Sequence, residues 1–271
     1  MPTHLLIAHS PDSDDAYMMA PLALGWMDQD RDRQEFTFEF VRLDIEKLNQ
    51  LSFEERFDVS AISFGVYPHI QNQYDLLTAG SSIQEGTGPL IVSRLSLGYD
   101  DLSSHTVAIP GIHTSAYLSM CKYHPNLKVC VMAFDEILPS LERGEIDVGL
   151  LIHESQLLYQ DKGLHLVADL GQWWKQQFDL PLPMGGNAIR RALPADTKQT
   201  FARCMKKSVM MARERHDESV DYAQGFGRNM DREMVSRYVS AWVNEFTVDP
   251  GYRGRLAVNH LLDLEANWIQ G

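Results

Sequence analysis

Cysteine is scarce in this chain: Cys121, Cys130 and Cys204 are the only three in 271 residues. The count is odd and no two stand in C-x-x-C spacing, so a disulfide framework is not expected and the thiols read as small buried hydrophobes. No His-x-x-x-His pair occurs, and no His/Cys set has zinc-ligand spacing, so no metal is expected. Basic residues are also few. The 24 Lys and Arg against 37 Asp and Glu leave a formal charge of −13, which argues against nucleic acid or an anionic membrane as the main partner, because both demand clustered cations to displace counterions. Long apolar runs are missing, and nothing approaches the ~20 residues of a membrane span. The chain passes from Met1 to Leu5-Leu6-Ile7-Ala8 without a basic leader, and that apolar run is too short for a secretory signal; a cytoplasmic protein is the expectation. Neither the Walker nor the Rossmann glycine pattern appears.

What is present reads as α/β. Hydrophobic residues make up 44% of the chain, ample for packed cores, and its length exceeds the usual single-core size, so two lobes around a cleft holding a small molecule are expected. An internal echo supports this. Leu48 to Ser63 and Ile137 to His153 share one plan, a short helix, a charged turn, an apolar-Asp-Val step and a strand, as in a duplicated layout with one copy per lobe. Strands are predicted at His4–His9, Phe36–Leu43, Val59–Ser63, Pro89–Ser93 and Val107–Gly111, and helices at about Ala16–Gly25, Ile45–Leu51 and Thr114–Tyr123. The polar stretch Leu95 to Ser104 reads as the crossing into the second lobe. The long stretch beyond His153, with Trp173-Trp174 and Leu180-Pro181-Leu182-Pro183-Met184-Gly185-Gly186, reads as irregular, with a return crossing to the first lobe. From Asp196 onward helices are predicted at about Thr197–Arg215, Glu218–Arg228, Arg232–Asn244 and Pro250–Trp268, the last opened by an Asp249-Pro250 start. The lobes then comprise residues 1–95 with 182–271, and 96–181.

The most informative segment runs from Gly144 to Ser155. An apolar strand, Val148-Gly149-Leu150-Leu151-Ile152, ends abruptly in His153-Glu154-Ser155, and ligands of open α/β sheets gather at the carboxyl ends of strands. A histidine there can do proton chemistry; the plainer reading is a hydrogen-bonded structural imidazole. The loop Ser10-Pro11-Asp12-Ser13-Asp14-Asp15 precedes a helix, where carboxylates complement the N-terminus, and it lacks the glycine and distant glutamate of a calcium loop. Thr114 and Ser115, after Ile109-Pro110-Gly111, open another helix, whose N–H groups suit either capping or an anion. The tryptophan pair reads as core more readily than as a ring platform.

Taken together, Ser10-Pro11-Asp12-Ser13-Asp14-Asp15-Ala16-Tyr17, Gly88-Pro89-Leu90, Ile109-Pro110-Gly111-Ile112-His113-Thr114-Ser115-Ala116-Tyr117, Leu151-Ile152-His153-Glu154-Ser155, Trp173-Trp174 and Leu180-Pro181-Leu182-Pro183-Met184-Gly185 resemble the 1,4-dihydroxy-6-naphthoate synthases of menaquinone biosynthesis. The likeness covers almost the whole chain in order. It implies a two-lobed, type II periplasmic-binding-protein-like α/β fold with a central cleft, and a carbon–carbon lyase that takes cyclic dehypoxanthine futalosine to 1,4-dihydroxy-6-naphthoate. It also implies His153 as general base, Thr114 and Ser115 as ligands of a substrate carboxylate, and Ala61, Ile62 and Ser63 as a second substrate-contacting strand end. Ser10 and Asp14 are expected to line the cleft, and Asn49 and Asn244 match polar positions near it. No redox change is implied, and no cofactor is expected. Two other readings stay open, a chorismate dehydratase of the same pathway and a non-catalytic solute-binding protein.

Overall fold

The computed structural model describes residues 2–153, 155–227 and 230–271. In chain order the first elements are β1 (Thr3–His9), α1 (Ser13–Ala23), β2 (Phe36–Arg42), α2 (Ile45–Ser52), β3 (Val59–Ser63), α3 (Tyr67–Ile70), β4 (Tyr74–Leu77) and β5 (Ser82–Gln84). There follow β6 (Leu90–Ser93), β7 (Thr106–Ile109), α4 (Ser115–Tyr123), β8 (Lys128–Val131), α5 (Phe134–Arg143), β9 (Val148–Leu151), α6 (Ser155–Leu158), β10 (His165–Asp169) and α7 (Leu170–Phe178). The chain closes with β11 (Leu182–Arg190), α8 (Ala195–Glu214), α9 (His216–Gln224), α10 (Arg232–Trp242), α11 (Glu245–Val248), α12 (Gly251–Leu262) and β12 (Trp268–Ile269).

These strands form two sheets. The first runs β12-β4-β11-β3-β1-β2 with β5 beside β11; the second runs β10-β6-β9-β7-β8. β1 is parallel to β2 and β3, β7 is parallel to β8 and β9, and β11 and β6 run antiparallel to their neighbours. The echoed segments hold corresponding positions: α2 leads to β3 beside β1, and α5 leads to β9 beside β7. Both strands are buried along their full length, as expected for strands covered on both faces.

Three sequence expectations are corrected. The strand Leu90–Ser93 lies in the second sheet, between β10 and β9, so the chain has changed sheets before Leu90 rather than at Leu95 to Ser104. The stretch beyond His153 is largely regular. Leu170, Trp174 and Phe178 share a helical face, and the Asp169 carboxylate caps α7 by accepting from the N–H groups of Gly171 and Gln172 at 2.9 and 3.1 Å. Prolines hid β11, which tolerates Pro183 opposite the short β5, where the register shifts. The last helix stops at Leu262, where Asp263 turns left-handed at φ 53°, and Trp268 becomes a strand residue paired with Leu76. Arg228, predicted to end a helix, lies outside the described residues.

Packing ties the two sheets together. One apolar cluster joins β1 to helices α1, α8, α9 and α10 through Leu5, Ile7, Met18, Phe201, Val220 and Val239. A second runs from Ile62, Phe64 and Tyr74 of the first sheet's side to Val107, Leu150 and Trp174 of the other. Among the described residues, no helix is long and apolar enough to cross a membrane.

Candidate active site

Four parallel strands aim their carboxyl ends at one place. β1 and β3 deliver Ser10 and Ser63 from the first sheet, and β7 and β9 deliver Thr114 and His153 from the second. Between them lies a cleft bordered by residues of both sheets. Its lining includes Ser10, Asp14, Ala61, Ile62, Ser63, Thr114, Ser115 and His153, eight of the ten residues singled out from the sequence.

His153 follows β9 in a turn at φ 54°, a left-handed conformation that few non-glycine residues adopt. The turn swings the imidazole out of line with the strand. Its side chain is 19% exposed, with Nε2 at 3.4 Å from Oδ2 of Asp12, which is 4% exposed. The Phe134 ring stands edge-on at 5.1 Å between centroids. Glu154, the next residue of the motif, lies outside the described residues.

The start of α4 faces the same cavity. Thr114 caps the helix, accepting from the Tyr117 N–H at 3.1 Å and donating to the Gly111 carbonyl at 2.9 Å. The Ser115 hydroxyl accepts from the Gly65 N–H at 3.0 Å and donates to the Met184 carbonyl. Both hydroxyl protons are therefore committed inside the protein. What α4 offers an anion is its first-turn backbone: the N–H groups of Ser115 and Ala116 have no partner among the described residues. Gly65 has to be glycine for this join, since a Cβ there would come within 2.8 Å of the Thr114 carbonyl oxygen. Nearby, His113 and Glu46 pair at 2.8 Å, tying the loop after β7 to α2.

The first loop brings three carboxyls to the cleft. Burial, then the neighbouring Asp12, raises the Asp14 carboxyl to about 6. Burial and then Asp14 push Asp15 well above the ordinary carboxylate range, and Asp15 accepts from the Ser10 N–H at 2.8 Å. Burial thus makes both carboxyls hold their protons more tightly than exposed ones would. His9, just before it, is pushed down to about 4 by burial and is a neutral, structural imidazole at neutral pH.

Two predicted residues stand behind the wall instead of in it. Asn49 is fully buried; its amide accepts from the Ser63 N–H at 2.9 Å and donates to the Ser63 hydroxyl at 3.0 Å, so it aims Ser63 from α2. Asn244 caps α11 by accepting from Phe246 at 2.9 Å and donates to the Ile83 carbonyl at 3.0 Å, which leaves its amide committed away from the cavity. The tryptophan at the cleft is neither Trp173 nor Trp174: Trp174 is fully buried, while Trp242 and Tyr238 of α10 line the cavity with Gln156, Met184 and Gly186. The i, i+4 spacing of Tyr238 and Trp242 marks a common helical face, but only packing shows that this face meets the cleft. Among the described residues no group of three or more His, Cys, Asp or Glu is arranged to hold a metal ion.

A family model for menaquinone biosynthesis matches residues 5–267. The 1,4-dihydroxy-6-naphtoate synthases of Thermus thermophilus and Streptomyces coelicolor are each 32% identical to this chain, over 257 and 264 residues, covering 95% of it and 92% and 91% of their own lengths. A structural-genomics protein of Archaeoglobus fulgidus superposes with a TM-score of 0.88 at 35% identity, covering 96% of each chain. The alkanesulfonate-binding protein SsuA of Xanthomonas axonopodis, 11% identical, matches with a TM-score of 0.69 over 100% of this chain and 99% of its own. That second likeness is one of fold: two lobes in the periplasmic-binding-protein arrangement.

Proposed function

The chain belongs to the menaquinone biosynthesis family, and we propose that within it this protein is the lyase that converts cyclic dehypoxanthine futalosine to 1,4-dihydroxy-6-naphthoate, with His153 as general base. One observation carries the reading: a single cavity has an imidazole at the end of β9 and open N–H groups at the start of α4. The Ser115 and Ala116 N–H groups hold the substrate carboxylate, a positive helix end meeting an anion. Ile62, Ile152 and Trp242 offer the apolar walls that a bicyclic ring requires. His153 then takes a carbon-bound proton made acidic by an adjacent carbonyl. Cleavage of the carbon–carbon bond to the sugar-derived part and aromatisation of the ring follow without net redox change. Lobe closure, with the lobes dividing before Leu90 and again near Leu182, excludes water during these steps.

Incubating the purified protein separately with cyclic dehypoxanthine futalosine and with chorismate, and detecting products by mass, tests the reading. Naphthoate from the first substrate alone supports it. Conversion of chorismate would assign the dehydratase, and binding without product would assign a solute-binding protein. The His153→Asn protein should lose about two to four orders of magnitude in kcat with a much smaller change in KM; near-normal turnover would remove the histidine from the mechanism.

A further inference from the structure

We propose that Asp12 is the positioning carboxylate of His153, supplied from the opposite side of the cleft, so that the base is fully set only when the two lobes meet. The inference rests on the reading of His153 as base. Asp12 belongs to the loop after β1 in the first sheet, and His153 to the turn after β9 in the second. Their Oδ2 and Nε2 atoms nevertheless stand 3.4 Å apart with Asp12 4% exposed, so the pair bridges the cavity.

Helix capping does not account for Asp12. Four aspartates occupy N-cap positions, at α1, α2, α7 and α10. Asp44, Asp169 and Asp231 accept N–H groups of their own helices at 2.8 to 3.1 Å. Asp12 makes no capping hydrogen bond; its Oδ2 instead accepts the Ser10 hydroxyl proton and faces His153. The histidine is held from its own side by the left-handed turn and the Phe134 ring.

The chemistry follows from this placement. A carboxylate facing Nε2 favours the tautomer with the proton on Nε2, leaving Nδ1 as the basic nitrogen, and it stabilises the imidazolium formed when a substrate proton is taken. Asp14 and Asp15, both on α1, also act on His153 electrostatically, and α5 brings the Phe134 ring against it. Asp14 and Asp15 are raised by burial, whereas Asp12 faces the ring directly.

The test is Asp12→Asn, which keeps shape and removes charge. In steady-state kinetics kcat should fall about 10- to 100-fold with KM within about twofold, and the acidic limb of the kcat/KM profile should move down by about one pH unit, because a nearby carboxylate favours the charged imidazole. Selective 13C labelling should show the His153 titration moving the same way without substrate. If Asp12→Asn does not fold, Ser10→Ala, which removes the hydroxyl that donates to Asp12 and leaves the carboxylate charged and more basic, should move the acidic limb and the His153 titration the opposite way, upward, by a smaller amount. An unchanged acidic limb and an unchanged His153 titration would overturn the proposal. A titration that moves in Asp12→Asn while His153→Asn remains fully active would instead keep the pair and discard the base.

Discussion

Replacing Asp14 by Asn should stabilise the folded protein at neutral pH, although Asp14 lines the site. The carboxyl is 9% exposed, and burial, reinforced by Asp12, lifts it to about 6. Unfolded, it ionises near 4, so above pH 6 the native state carries a carboxylate that its surroundings disfavour by about 3 kcal/mol, at ~1.4 kcal/mol per pH unit. The favourable first-turn N–H groups of Asp14 and Asp15 are already contained in that value, so the expectation is a gain of about 2 to 3 kcal/mol at pH 7.5. The sign with pH is definite. Between about pH 4 and 6 the unfolded chain releases a proton that the native state still holds, so wild-type stability falls as pH rises through this window. The advantage of Asp14→Asn is therefore absent below about pH 4, grows between 4 and 6, and is constant above. Urea unfolding of both proteins at pH 4, 5, 6 and 7.5 reads this directly. A variant that is less stable at pH 7.5, or whose advantage does not change between pH 4 and 7.5, would refute the electrostatic reasoning.

Ser115→Pro, compared with Ser115→Ala, isolates the backbone at the start of α4: both lose the hydroxyl, but only proline removes the N–H, and proline is tolerated at the first helical position. Losing one charge-assisted hydrogen bond of about 1.5 to 3 kcal/mol should raise KM about 10- to 100-fold beyond the alanine variant; equal KM values would remove the anion role of α4. Asn49→Ala should lower stability by about 2 to 4 kcal/mol, since a fully buried amide with two bonds to Ser63 is lost and a cavity is left; denaturant midpoints measure this, and a loss under 1 kcal/mol would contradict the account of Asn49 as the support of Ser63. Turnover should survive dialysis against EDTA, because the proposed steps are proton transfers; loss restored by a single divalent ion would require a different mechanism.

Much of the fold was legible because local signals agreed. The apolar runs of β1, β3 and β9, the start of α4 after Pro110-Gly111 and the paired helix-turn-strand segments all follow from periodicity and turn chemistry, and the structure holds them within a residue or two. β11 was hidden because prolines and glycines read as loop, while Pro183 sits where the short β5 tolerates a shifted register; α7, which holds no proline, was masked by the loop-like residues that follow it. For Asn244 the structure adds what the resemblance does not reveal, a local use: its amide caps the helix that follows.

By itself the sequence determined the α/β class, the two-fold echo, the short list of polar residues at strand ends and the resemblance that names the family. These depend on residue type and spacing along the chain, which local conformation and apolar patterning read directly. Only the tertiary structure decided that Asp12 meets His153, that Trp242 and not the Trp173-Trp174 pair faces the cleft, and that α4 presents its backbone rather than its hydroxyls. Those are relations between elements far apart in sequence, set by how the two sheets pack around a shared core, and by burial, which raises Asp14 and Asp15 above the ordinary carboxylate range.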